Sequence, residues 1–239
     1  MMNNTWSAPQ RPAIYAEQAL INAILDGTYP PGSALPGERD LAEQLGVTRP
    51  TLREALQRME RDGWISIQQG KSTLVRAIWT EGGLNVLSSL ARYGKQGLEN
   101  HIPFDFIPRL LEVRLALAPA YARAAAVCDE NHELIDYLST PPDLDDTPAT
   151  YASFDWHLHH RLTVASCNPI YTLILNGFAE LYAAMAQIYF TQPEACAASH
   201  RFYIRLLEAI RQRDAAAAET ITHETMAESL VLWKTAQRK

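Results

Sequence analysis

The sequence predicts a mainly α protein, an N-terminal winged helix-turn-helix followed by a C-terminal all-α helical bundle. Three observations carry this. Between Pro31 and Val75, two short helical patterns flank a glycine turn and lead into residues that alternate like strands. After Trp79 the strand signals stop, and apolar residues recur at helical spacing almost to the end. Charge is also unevenly shared: residues 1–79 hold eight Lys/Arg against eight Asp/Glu and the rest hold thirteen against nineteen, so the net −6 lies in the second part. The 239 residues therefore divide into domains 1–79 and 80–239, each long enough to bury a core.

Residues 1–12, polar and proline-containing, read as a disordered arm. Ala16, Ala19, Leu20, Ala23 and Ile24 share one face of a helix over Ile14–Leu25, closed by Asp26-Gly27, and Pro30-Pro31-Gly32 forces a turn. A short helix over Glu38–Leu45 ends at Gly46, whose tolerance of positive φ suits a sharp turn. Thr48 caps the next helix, and Pro50 is tolerated in its first turn because the missing N–H has no intrahelical partner there. Leu52, Ala55, Leu56 and Met59 form its packing stripe. Arg49, Arg53 and Gln57 fall away from that stripe, on the face a DNA major groove would meet. Gly63 ends the helix, Trp64–Ile67 alternates as a strand, Gln69-Gly70 makes a tight turn, and Ser72–Val75 returns antiparallel. Lys71 sits at the ribbon tip, where it joins Arg39, Arg49 and Arg53 as a candidate phosphate-facing set. Local potential, not net charge, governs such a contact.

In the second part, helical runs cover Leu84–Ala91, Phe106–Val127, Leu134–Leu138, Tyr151–Ala165, Ile170–Phe190, Cys196–Ile210 and Ala215–Trp233. Pro103, Pro141-Pro142, Pro169 and Pro193 separate them, and Pro119 marks a kink or boundary inside one. Six or seven such helices make a bundle large enough to enclose a cavity. Cys128, Cys167 and Cys196 are widely spaced with no Cys-x-x-Cys pair, so neither a disulfide framework nor a cysteine zinc site is expected. With no run of about 18 apolar residues and no apolar leader, a soluble cytoplasmic protein that does not enter a membrane is expected.

The stretch PGSALPGERDLAEQLGVTRPTLREALQRMERDGWISIQQGKSTLV resembles the amino-terminal domain of the GntR superfamily of bacterial regulators. GLNVLSSLAR, SCNPIYTLILNGFAELY with IYFTQPEA, and ESLVLW are similar to the FadR branch of that superfamily. The resemblance implies a homodimer that grips a palindromic operator on double-stranded DNA. It also implies a helical domain that binds long-chain acyl-CoA as effector, with no cofactor, and then releases the DNA. By position, it places Arg39, Thr48, Arg49, Thr51 and Arg53 on DNA from the two helices, and Gln69, Gly70 and Lys71 in the wing. Two departures are visible: Pro50 replaces a polar recognition-helix residue, and Gln69 stands where a histidine would reach the minor groove. Both Gln and His hydrogen-bond, so altered strength is expected more than lost function. For the ligand, the resemblance implicates Tyr189, Glu228, Ser229 and Trp233. An acyl tail needs an apolar tunnel, each buried methylene contributing about 0.8 kcal/mol, and Leu173, Leu175, Phe178, Leu181, Met185, Ile188 and Phe190 offer a lining. Met226 and Leu230 replace two family glycines, which narrows the pocket or changes its preferred chain length.

A competing reading comes from the histidines, all beyond residue 100. Asp155 and His159, at i and i+4, share a helix face with a spacing that suits a metal ion. Many other GntR regulators bind zinc or nickel this way with two later histidines, beneath a small carboxylic acid effector. Here the later histidines are His200 and His223, both out of register, with Tyr203 at an expected ligand place. The reading is thus a metal set of Asp155, His159, His200 and His223. An enzyme is not expected. Glu219 and His223 share a face without a second Glu-x-x-His, no glycine-rich phosphate loop follows a strand, and Ser229 lacks a nucleophile-elbow context.

Overall fold

A computed structural model describes residues 11–92, 106–129 and 131–236. Most of the expected arm, residues 1–10, and the separator Pro103 lie outside the described residues. Contacts divide the chain into two compact units, Met1–Ile102 and Pro103–Lys239.

The first unit begins with α1 (Pro12–Leu25), which buries Ala16, Leu20, Ile21 and Ile24. Its packing partner is α3 (Arg49–Asp62), whose buried stripe is the expected Leu52, Ala55, Leu56 and Met59. Between them α2 (Glu38–Leu45) ends at Gly46 with φ +65°, the left-handed conformation that turns the chain sharply into α3. Thr48 caps α3 by accepting from the Thr51 N–H, and the two threonine hydroxyls also meet at 2.8 Å. At the far end Gly63 takes φ +93°.

The ribbon is shorter than the alternation predicts: β1 (Ile65–Ser66) pairs antiparallel with β2 (Leu74–Val75), with Ile65 opposite Val75. The expected strand residues Ile67, Ser72 and Thr73 belong to a loop over residues 67–73. In that loop the Lys71 N–H donates to the Gln68 carbonyl at 3.0 Å, and Gly70 has φ +76°. The sequence reading also missed a third line of pairing. Leu35 N–H donates to the Thr73 carbonyl and Val75 N–H to the Ser33 carbonyl, each at 2.9 Å, so the chain after Pro31 runs beside β2. That pairing satisfies backbone groups that two short strands alone would leave open. α4 (Ile78–Glu81) and α5 (residues 85–92) complete the described part of this unit. Val86 and Leu90 of α5 are buried. The contact division after Ile102 therefore falls later than the boundary at residue 79 that composition suggests.

The second unit is a helical bundle: α6 (Phe106–Val127), α7 (His132–Leu138), α8 (Pro148–Ala165), α9 (Pro169–Asn176), α10 (Ala179–Tyr189), α11 (Pro193–Arg211) and α12 (Ala215–Ala236). α6 packs along α12. Buried Ala118, Ala122, Ala125 and Ala126 make this close approach possible. Pro119 sits inside α6 without ending it. The run expected over Ile170–Phe190 is two helices, broken at Gly177-Phe178, which adds one helix to the six or seven predicted. Thr147 caps α8 and Asn168 caps α9 through side-chain bonds to backbone N–H groups. One expectation about cysteine fails outright. Cys128, after α6, and Cys167, in the corner between α8 and α9, form a disulfide, leaving Cys196 free and buried. Spacing in sequence gave no sign of the pair because 39 residues separate two cysteines that the bundle brings side by side.

Candidate nucleic-acid interface and ligand cavity

On the first unit, Arg49 and Arg53 project from the exposed side of α3, and one carboxylate organises both. Arg53 Nε donates to Glu38 Oε2 at 2.7 Å, and Arg49 Nη2 lies 3.7 Å from the same oxygen. Both guanidinium groups remain more than half exposed, so they share a surface directed at solvent. Thr48 and Thr51 lie at the same helix end, where free N–H groups favour anions. Arg39 is exposed and pairs with its neighbour Asp40 at 3.1 Å. Gln69, Gly70 and Lys71 are exposed in the wing loop. A Cβ at Gly70 would meet nothing within 4 Å, so the demand there is backbone conformation alone. The sequence reading missed Glu38, whose role is visible only once α2 and α3 are docked.

On the second unit, α6, α8, α9, α10 and α12 surround a cavity that is partly open to solvent. Its walls are mostly apolar: Leu110, Leu111, Val113 and Leu117 from α6, Ile174 and Leu175 from α9, Phe178, and Met185, Ala186 and Phe190 from α10 and its end. Of the residues expected to line it, Leu175, Phe178, Met185 and Phe190 do. Leu173 and Ile188 instead face solvent, at 64% and 61% exposure, and Leu181 is buried outside the lining. Tyr189, Ser229 and Trp233 line the cavity as the resemblance implies, with the Tyr189 and Trp233 rings stacked at 6.4 Å. Glu228 does not. It is exposed on the other side of α12 and pairs with Arg201 at 2.9 Å, since one residue along a helix turns a side chain by about 100°.

One wall carries a buried polar cluster. Asp155, 2% exposed, accepts from Arg114 Nη2 at 2.6 Å, from the Tyr182 hydroxyl and from the Tyr203 hydroxyl at 3.0 Å. Burial alone pushes the Asp155 carboxyl up, but the Arg114 charge and these donors outweigh it and hold the group below the usual carboxylate range. His159 is pushed down to about 3 by burial and by the Arg114 charge, so its ring is neutral. Its Nδ1 meets the Tyr121 hydroxyl at 2.6 Å, and its Nε2 lies 3.8 Å from Asp155 Oδ2. The nearby carboxylate favours the proton on Nε2, so Nδ1 accepts from Tyr121, whose own ionisation burial pushes further up. Nε2 of His159 and Nε1 of Trp233 are buried without a hydrogen-bond partner.

The metal reading's four residues are not brought together. Asp155 and His159 adjoin, but His200 Nδ1 meets the Pro142 carbonyl at 2.9 Å and His223 is exposed on α12. Among the described residues no three His, Cys, Asp or Glu side chains converge as metal ligands. The open side of Asp155 is filled by Arg114, which supplies positive charge there. Arg114 itself escaped the sequence reading, although a lone cation in the apolar run LLEVRLALA signals a buried counter-charge. Glu219, considered above with His223, is engaged by Arg123 at 2.7 Å.

A winged helix with two exposed arginines on α3, joined in one chain to an all-helical unit with an apolar cavity, is the architecture of a transcription regulator. Residues 14–75 match bacterial regulatory proteins of the gntR family, and residues 76–239 match the FadR C-terminal domain. The chain is 43% identical over 195 residues to a fatty acid metabolism regulator protein of Shewanella pealeana, covering 82% of this chain and 79% of that one. It is 37% identical to the protein so named in Shewanella frigidimarina, covering 93% and 91%. The chain belongs to the gntR family of regulators, in the branch with a FadR C-terminal domain. The solved structure described as "Lar controls the expression of the Listeria monocytogenes agr system and mediates virulence" shares the fold, with a TM-score of 0.57 at 16% identity over 96% of this chain and 98% of that one. The family match at 75/76 lies near the compositional boundary, while packing carries α4 and α5 with the winged unit. No helix among the described residues is long and apolar enough to cross a membrane.

Proposed function

We propose that the chain regulates genes of fatty acid metabolism as a homodimer on a palindromic operator, and that a long-chain acyl-CoA in the cavity of the helical unit releases it. The observation that carries this reading is the cavity: its mostly apolar walls suit an alkyl chain. The relatives' name, fatty acid metabolism regulator, agrees with that chemistry. Arg39, Thr48, Arg49, Thr51 and Arg53 serve the operator from α2 and α3, and Gln69, Gly70 and Lys71 from the wing. Arg114 already neutralises Asp155, so effector binding needs neither metal nor cofactor.

The test is a gel shift on the protein's own promoter, titrated with acyl-CoAs of graded length and with free CoA. The reading expects release by long chains and none by free CoA. Release by short carboxylic acids instead, with stoichiometric metal in the dialysed protein, would replace it with the metal-dependent sensor.

A further inference from the structure

We propose that Asp62 is a positioning residue that joins the recognition helix α3 to helix α5. Asp62 is the last residue of α3 and is 4% exposed. Its Oδ2 accepts from the Ser89 hydroxyl at 2.9 Å and from Arg92 Nη2 at 3.1 Å, both on α5. Its Oδ1 accepts from Arg61 Nε at 2.9 Å. Ser89 is fully buried.

Stability gives no reason for a carboxylate at this place. A negative charge at a helix C-terminus opposes the helix dipole. Burying a carboxylate also carries a desolvation cost that its ion pairs do no more than offset, where an apolar residue would carry none. What the carboxylate does supply is direction: two donors from α5, the Ser89 hydroxyl and Arg92, converge on one Asp62 oxygen and fix the rotation and register of α5 against the end of α3. The backbone is fitted to the same joint. A Cβ at Gly82, in the turn before α5, would fall 2.4 Å from the Ile78 carbonyl oxygen and 2.9 Å from Val86 Cγ2, and a Cβ at Gly63 would lie 3.9 Å from Val86.

α5 is the last described helix before the chain passes into the helical unit, and α3 carries Arg49 and Arg53. If effector binding in the helical unit shifts α5, Asp62 passes that shift to the helix that carries Arg49 and Arg53, the kind of discrete contact that coupling between sites requires. This inference rests on the proposed effector-release reading.

Its test compares wild type with Asp62→Asn and Ser89→Ala, the second removing a single donor in case the first fails to fold. Operator affinity is measured by fluorescence anisotropy with and without saturating oleoyl-CoA, and oleoyl-CoA affinity by calorimetry. The joint predicts that the oleoyl-CoA-induced loss of operator affinity shrinks by about fivefold or more in the variants. Effector-free operator affinity and oleoyl-CoA affinity should stay within about threefold of wild type. Asp62→Glu, which keeps the charge, should recover part of the response. Unchanged response in both variants overturns the proposal, and so does a response that falls only in step with effector-free affinity.

If wild type itself ignores oleoyl-CoA, it is the effector reading that fails. Hydrogen exchange then judges the joint alone. Amides of residues 85–92 should exchange about tenfold faster in Asp62→Asn while the α1–α3 core keeps its protection, and equal protection of 85–92 overturns the joint.

Discussion

Glu38 sets the electrostatics of the DNA-facing surface. Its carboxylate holds Arg53 and lies near Arg49, so phosphate must compete with it for both guanidinium groups. Glu38→Gln should therefore strengthen binding to non-specific duplex, by about 1 kcal/mol or less because the pairs are exposed. Arg49→Ala or Arg53→Ala should each cost about 1–3 kcal/mol of operator affinity while leaving ligand binding intact. Anisotropy titrations at several salt concentrations check both. Normal operator affinity in either arginine variant would remove the helix face from the account.

His159 makes a second residue-scale prediction. Its folded value of about 3 lies below the ordinary 6.5, so between those limits the unfolded chain binds the extra proton and the folded chain does not. Stability must then fall as pH drops from about 6.5 toward about 3, by an amount of the order of a few kcal/mol. Asp155 acts only at the acid end, since its lowered value makes its contribution present above the ordinary 3.8 and lost as pH falls below it. Denaturant midpoints at pH 7 and pH 5 should therefore differ less in His159→Gln than in wild type, and an equal difference would contradict the buried neutral ring.

At the scale of elements, α9 decides which side chains enter the cavity. Leu175 lines it whereas Leu173, two residues earlier, faces solvent. Leu175→Trp should fill the cavity and weaken acyl-CoA binding by about 1–3 kcal/mol, with Leu173→Trp close to neutral. Calorimetry reads both, and equal effects would mean the lining is misassigned. The corner before α9 carries another test: without reductant the denatured chain should show one reactive thiol, from Cys196, and after reduction three. Three thiols without reductant would contradict the Cys128–Cys167 link.

What the sequence made legible follows from the range of the interactions involved. The turns at Gly46 and Gly63, the Thr48 cap and the Leu52, Ala55, Leu56, Met59 stripe are local, and they appear as predicted. Ile67 reads as strand because alternation is a local pattern, but its N–H donates to Glu60 Oε1 at 2.8 Å instead of extending the ribbon. Ile170–Phe190 is largely apolar, so periodicity runs through the break at Gly177-Phe178, for which Asn176-Gly177 is the local sign. Arg114 with Asp155, Glu38 with Arg53, and Cys128 with Cys167 are contacts between elements, and spacing along the chain does not encode them. Of the residues the family resemblance implicates, Tyr189, Ser229 and Trp233 line the cavity and Glu228 pairs with Arg201 outside it.

For the whole molecule, a near-neutral winged unit with a local cationic face is joined to an acidic helical unit with an apolar cavity. Linkage constrains the proposed switch: if acyl-CoA weakens operator binding by some factor, operator must weaken acyl-CoA binding by the same factor. Calorimetric titration of oleoyl-CoA into the protein, alone and saturated with operator duplex, measures this directly. The account predicts weaker binding to the operator-bound protein, by the factor found in the reverse titration. Equal affinity with and without operator would contradict it.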